Sequence, residues 1–247
     1  MDELIVIPFS HFCEKARWGL ERIGHPFRET GAMPVLHLRV AKRAMAGAPR
    51  RKEKHASPYA VPILVTPEGP VAGSTAILDH ADPAFCGGEK TRALIADFDD
   101  RLGPHTRRVA YYLVFTTPGA FGALVRHNAP WWQRPLALAA PLVVGRMQRA
   151  MRIDREGFER SRARVDEVLD EVDQRLADGR AYLEGDEFGA ADLAFAALLA
   201  PVLLPPEYGA WLPPVERFGP EGRALVEEIR NRPSGRHALR VYREHRR

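Results

Sequence analysis

Lysine is scarce in this 247-residue chain: of 36 basic residues only five are lysines (Lys15, Lys42, Lys52, Lys54 and Lys90), and the rest are arginines. Cysteine is scarcer. Cys13 and Cys86 are the two present, with no C-x-x-C, so neither a disulfide framework nor a four-ligand zinc site can be built, and no metal is expected. A reducing compartment, the cytoplasm, fits best. Long apolar runs are also missing: Pro135 to Gly145, the longest, has eleven residues, against the roughly 20 needed to span a bilayer. That run reads as a buried helix. Its alternative is a membrane-surface or partner contact, because Trp131 and Trp132 precede it and Arg146 and Arg149 follow. The opening MDELIVIPFS lacks a basic n-region and carries too short an apolar run for an export signal. Nor is there a large charge excess. The 36 basic residues face 32 acidic ones, and a net charge of +4 does not call for a nucleic-acid partner.

What is present is the composition of a folded protein, 45% hydrophobic and 28% charged with a mean hydropathy of −0.28, long enough for one large domain or two ordinary ones. Leu4 to Ile7 reads as a strand ended by Pro8, and Cys13 to Ile23 places Ala16, Leu20 and Ile23 on one side of a helix. Gly24-His25-Pro26 breaks that helix, and Phe27 to Thr30 can return as a strand in a β-α-β unit. Leu36 to Met45 can be helical, and the basic stretch from Gly47 to Ser57 is expected to be a loop. Ile63 to Thr66, the turn Pro67 to Pro70 and Val71-Ala72 predict a hairpin, followed by a helix from Thr75 to about His80 capped by Ser74. After Cys86-Gly87-Gly88 the patterns are helical only, which puts the domains at 1–84 and 90–247. Leu94, Phe98 and Leu102 form one stripe, and Val109, Leu113 and the neighbouring aromatics continue the pattern beyond a predicted bend at Gly103-Pro104. Phe158 to Ala177 is the clearest amphipathic helix, and Ala190 to Leu204 is apolar all round, as the centre of a helical domain would be.

Three positions carry chemistry. Pro8 to Cys13 leads from the first strand into the first helix, where free N–H groups and the positive end of the helix dipole favour an anion such as a thiolate, and Ser10 and Cys13 are the groups placed to use it. Val61-Pro62 precedes a strand and is a candidate cis bond that fixes an exposed backbone edge. Gly73-Ser74 stands at a helix N-terminus as a small anion pocket.

In this order the segments Ser10 to Trp18, Tyr59 to Leu64, Gly73 to Leu78 and Phe188 to Ala194 resemble the glutathione transferase family over nearly the whole chain. The S-x-x-C form looks like the serine-type transferases. It also looks like a glutaredoxin C-x-x-C whose first cysteine has become serine. The resemblance implies an α/β thioredoxin-like N-terminal domain, an all-α C-terminal domain, glutathione as co-substrate and a homodimer. It implies that Val61, before Pro62, pairs its backbone with the cysteinyl part of glutathione, that Ser74 and its backbone N–H hold the γ-glutamyl carboxylate with Gly73 beside them in the glutathione site, and that Ser10 donates to the sulfur. The chemistry implied is conjugation of glutathione to a small apolar electrophile, with Phe12, Tyr111, Tyr112 and Phe115 as the apolar wall. Two positions depart from the family pattern. Gly73 stands where an acidic or amide residue usually holds the glutathione amino group, and Gly189 stands where Ser or Thr usually completes a capping box with Asp192.

Other readings stay open beside these. Ser10 can simply cap the helix. Cys13 can be a nucleophile in glutathione-dependent thiol exchange, or a buried structural residue. His11 is a lone histidine beside the site without a carboxylate at an informative spacing, and Cys86 reads as inert. Tyr111, Tyr112 and Phe115 can be core. The basic stretch Arg39 to Lys54 can attract the glycine carboxylate of glutathione or be a solvated loop, and the arginine-rich Arg236 to Arg247 reads as a docking helix with a basic outer face. A non-catalytic binding protein on the same fold is the remaining alternative.

Overall fold

The computed structural model describes residues 1–48 and 59–246. One mixed sheet holds four strands in the order β2-β1-β3-β4. Strand β1 (Asp2–Val6) pairs in parallel with β2 (Phe27–Gly31) through the crossover helix α1 (His11–Ile23). Strand β3 (Ile63–Thr66) runs antiparallel to β1 and turns into β4 (Gly69–Ala72). The Thr66 hydroxyl closes that turn, donating to the Gly69 carbonyl at 2.9 Å and accepting from the Glu68 N–H at 3.2 Å. Helix α2 (His37–Ala44) follows β2, and α3 (Ser74–Ala81) follows β4.

Helix α1 is the hinge of the whole arrangement. Cys13, Ala16 and Leu20 pack with Leu4, Val6, Leu64 and Ile77 on the sheet side, while Trp18 belongs to the large core on the other side. It stops at Gly24, whose φ of 78° is the left-handed conformation that glycine adopts without cost. The His25 N–H then reaches back to the Leu20 carbonyl at 3.0 Å, closing the helix end. Gly19 lets α1 approach α3, since a Cβ there would stand 2.2 Å from a Leu78 methyl.

From residue 89 onward the described chain is helical. Helix α4 (Glu89–Asp97) passes through a π-helical turn, Phe98–Leu102, into α5 (Gly103–Thr116). The predicted stripe survives in this form, with Phe98 and Leu102 fully buried. Helix α6 (Ala120–Asn128), a 3-10 run Trp131–Ala139 and α7 (Ala140–Met151) come next. Helix α8 (Arg155–Leu176) starts earlier than its apolar pattern because the Asp154 carboxylate caps it, accepting from the Gly157 N–H at 2.7 Å. Helix α9 (Ala190–Leu203) runs through the centre and buries every residue but Pro201, with α10 (Pro220–Asn231) and α11 (Pro233–His245) packed around it. Gly189 supplies no side chain to a capping box, yet Asp192 performs its half. Its carboxylate accepts from the N–H groups of Gly189 (3.1 Å) and Leu183 (2.9 Å) and pairs with His237 (2.9 Å). A thioredoxin-like sheet unit and an all-helical unit are thus both present.

Two expectations need correction. Ser74 does not cap α3: Gly73, with φ of 103°, occupies the cap and Ser74 is the first helical residue. The run Pro135 to Gly145 is not a buried helix. Pro135 lies within the 3-10 run, and the segment exposes Leu138 (88%) and Leu142 (66%). Its inner side alone is covered, by Leu136, Ala137, Val143 and Val144 packing on the core. The basic stretch Gly47 to Ser57 lies, from residue 49 on, outside the described residues.

Candidate functional site

Ser10 stands between β1 and α1. Its N–H donates to the Ile7 carbonyl (2.9 Å) and its carbonyl accepts from the Glu14 N–H (2.8 Å), so the backbone opens the helix without the hydroxyl. The side chain makes no capping bond, although Ser10 occupies the cap position. Cys13 lies one turn inside the helix. Cys13 is fully buried, and burial pushes its thiol up to about 12 against the opposing effects of Ser10, the Ile7 backbone and Arg17. A thiol in that state is protonated at neutral pH and closed to solvent, which counts against Cys13 as a nucleophile.

Of the other two motifs, Val61 packs against the cluster that contains Cys13. The Val61-Pro62 bond is cis, and the Pro62 carbonyl accepts from the Gly73 N–H at 3.0 Å, tying that corner to the start of α3. Ser74 is buried at the first turn of α3. Beneath it lies a network absent from the sequence reading. Lys15, fully buried on α1, donates to Thr75 (2.7 Å) and to Asp99 of the π-helical turn (2.6 Å), and Thr75 donates to Asp99 (2.5 Å). Burial lowers the Lys15 pKa and the Asp99 charge opposes that shift. On the next face Glu14, also fully buried, bonds Arg17 (2.7 Å), Arg246 (2.8 Å) and the Gly209 N–H (3.1 Å), and Arg17 continues to Glu29 (2.6 Å).

Helix α5 packs against the start of α1. His11 donates from Nε2 to the Gly103 carbonyl (2.8 Å), and the Phe12 ring lies so close to Gly103 that a Cβ would stand 2.4 Å from it. Burial first, then the Arg107 charge, lowers the His11 pKa to about 3, so the ring is neutral and serves as a buried strut, not as a base. Gly103, Arg107, Tyr111 and Phe115 recur at four-residue spacing on α5, and Tyr111 stacks on Phe115 with centroids 5.2 Å apart. Tyr112 faces elsewhere, stacked on Phe158 of α8 at 4.4 Å. The proposed apolar wall therefore separates: Tyr111 and Phe115 share one face, Phe12 packs on Gly103, and Tyr112 belongs to the α5–α8 contact. Arg107 was missed from sequence. Its Nε is sealed from solvent without a hydrogen-bond partner among the described residues, and burial lowers its pKa. Its place one turn from both Gly103 and Tyr111 was the available signal.

Residues 4–88 match the family model of the glutathione S-transferase N-terminal domain, and residues 155–220 match that of the C-terminal domain. The chain belongs to the glutathione S-transferase family. Solved transferases share its fold at low identity. A glutathione S-transferase of Ceriporiopsis subvermispora, solved with glutathione, aligns with a TM-score of 0.59 and 14% identity over 99% of this chain and 97% of its own. Glutathione transferase F7 of Populus trichocarpa gives 0.56 and 16% over 98% and 99%. A glutathione S-transferase of Xanthobacter autotrophicus gives 0.52 and 18% over 95% of each chain. No curated protein matches the sequence. Ser10, Val61, Pro62, Gly73 and Ser74 lie on the thioredoxin-like unit, and the Gly103–Phe115 face of α5 lies on the helical one. Two open grooves near Arg180, one bordered by α11 and the other by α4, contain none of these residues. Among the described residues no cluster of three or more His, Cys, Asp or Glu is placed to hold a metal, and no helix is long and apolar enough to cross a membrane.

Proposed function

We propose that this transferase-family chain conjugates glutathione to a small apolar electrophile, with Ser10 stabilising the thiolate, acting in the cytoplasm as a homodimer. The observation that carries the reading is the Ser10 hydroxyl, which stands at the positive end of α1 and takes no part in capping it. A free thiol titrates near 8.5, and lowering it by about two units takes roughly 3 kcal/mol of preferential stabilisation. One hydrogen bond to a charged group supplies about 1.5 to 3 kcal/mol, and the helix terminus supplies the rest. In this reading Ser74 receives the γ-glutamyl carboxylate, Val61 pairs with the cysteinyl backbone, and Tyr111 and Phe115 border the electrophile. Gly73 offers no group to the glutathione amine.

Glutathione calorimetry and conjugation of a chloronitrobenzene test the reading. Ser10→Ala is expected to bind glutathione, to lose roughly 10- to 100-fold in conjugation near neutral pH, and to move the rising limb of its pH–rate profile up by about two units. Cys13→Ala should leave that limb in place. Wild-type protein that fails to bind millimolar glutathione would favour a non-catalytic binding protein. Loss of activity in Cys13→Ala, with Ser10→Ala unaffected, would favour thiol exchange.

A further inference from the structure

No aspartate or glutamate occurs between Arg101 and Ile153, a stretch that carries seven arginines. Within it the chain exposes four large apolar side chains: Trp131 (79%), Trp132 (60%), Leu138 (88%) and Leu142 (66%). Arg126, Arg134, Arg146, Arg149 and Arg152 are exposed too, and none of them forms an ion pair among the described residues. Leu138, Leu142, Arg146 and Arg149 follow one another at helical spacing along the 3-10 run and α7, so the two leucines continue directly into a basic stripe. The opposite side of the segment is held to the body. Gln133 is buried and its amide oxygen accepts from the Met33 N–H at 2.9 Å, so the outer face is displayed from a fixed support.

We propose that this face docks on an anionic lipid surface. Two adjacent tryptophans suit the headgroup boundary, where an apolar ring body and a polar N–H are both satisfied. Leu138 and Leu142 can enter the acyl edge, as the apolar face of an interfacial helix does to a depth of roughly 5–10 Å. The arginines then meet lipid phosphates. A second copy of the chain is a poorer occupant, because an isologous pairing sets this patch against itself, arginine against arginine, with no acid in the segment to pair them. An anionic surface resolves both properties at once, covering the leucines and supplying the missing negative charge. The proposal does not depend on the transferase reading, and its test uses no activity.

The full chain is sedimented with vesicles of phosphatidylcholine alone and of phosphatidylcholine mixed with phosphatidylglycerol, at low and high salt. Binding is expected to the mixed vesicles, with a blue shift of tryptophan emission, and to weaken with salt. Arg134→Gln and Arg146→Gln should each lower the partition coefficient about fivefold. Leu138→Ser and Leu142→Ser should each lower it about tenfold. Unchanged circular dichroism in these surface variants excludes misfolding as the cause. The proposal is overturned if the mixed vesicles do not bind the chain, or if the leucine variants bind as well as wild type. It is overturned too if analytical ultracentrifugation shows a wild-type dimer that Leu138→Ser/Leu142→Ser turns into monomers, because the face is then a self-interface.

Discussion

Helix α1 and the segment 131–151 invert the usual placement of side chains in opposite ways. Helix α1 buries Glu14, Lys15 and Arg17, whereas the later segment leaves Trp131, Trp132, Leu138 and Leu142 in the open. Each buried charge of α1 has an opposite charge at 2.6 to 2.8 Å and further hydrogen bonds. That pairing offsets a desolvation cost that would otherwise amount to several kcal/mol per ion. No such internal compensation exists for the exposed leucines. Burial is thus decided by the partners an element finds, and composition alone does not settle it.

The comparison breaks most sharply at Glu14. Glu14→Gln leaves Arg17 and Arg246 facing an uncharged amide in the interior, and about 3–5 kcal/mol of stability should be lost in urea unfolding. A loss under 1 kcal/mol would mean that water reaches the pair. Protonation of His11 is the next largest effect. Its folded pKa of about 3 lies below its ordinary 6.5, so between these values the unfolded chain binds the extra proton, and stability falls as pH drops from 6.5 toward 3. At about 1.4 kcal/mol per unit the term reaches about 3 kcal/mol by pH 4. In His11→Gln, which can still donate to Gly103, the acid limb of stability against pH should flatten by that amount. Gly19→Ala probes the close approach to Leu78 and should cost about 1–3 kcal/mol through overpacking. At the other extreme, Leu142→Ser should change the melting free energy by no more than about 0.5 kcal/mol, since that side chain has little packing to lose. A larger loss would place Leu142 in a contact within the folded chain.

Elements whose residues alternate or repeat against one partner were legible in the sequence. The strand Ile63–Thr66, the amphipathic α8 and the uniformly apolar α9 all follow from period and composition. The turn from β1 into α1 was legible as well, because a strand, a proline and a helix start place Ser10 and Cys13 by chain geometry. What escaped depends on distant partners. Glu14 meets Gly209 and Arg246, which lie 195 and 232 residues away, and no local pattern announces that a glutamate on α1 will be buried. Tyr111 and Tyr112 are neighbours in sequence but point about 100° apart on a helix, so they cannot share one wall. The run Pro135 to Gly145 misled for the same reason in reverse: its hydrophobicity is real, but its outer face has no partner among the described residues.

The ion pair between Arg246 and Glu14 also bears on the order of events during synthesis. A ribosome emits α1 early, and its sheet can assemble around it, but Glu14 lacks one of its two cations and Trp18 lacks the His245 carbonyl to which it donates at 3.2 Å. Both contacts close only after the chain has been translated as far as residue 246. The nascent thioredoxin-like unit must therefore wait, incompletely neutralised and open along one helix face, for some two hundred further residues. Chaperone occupancy during that interval should be greatest on the side of α1 that the last helix finally covers.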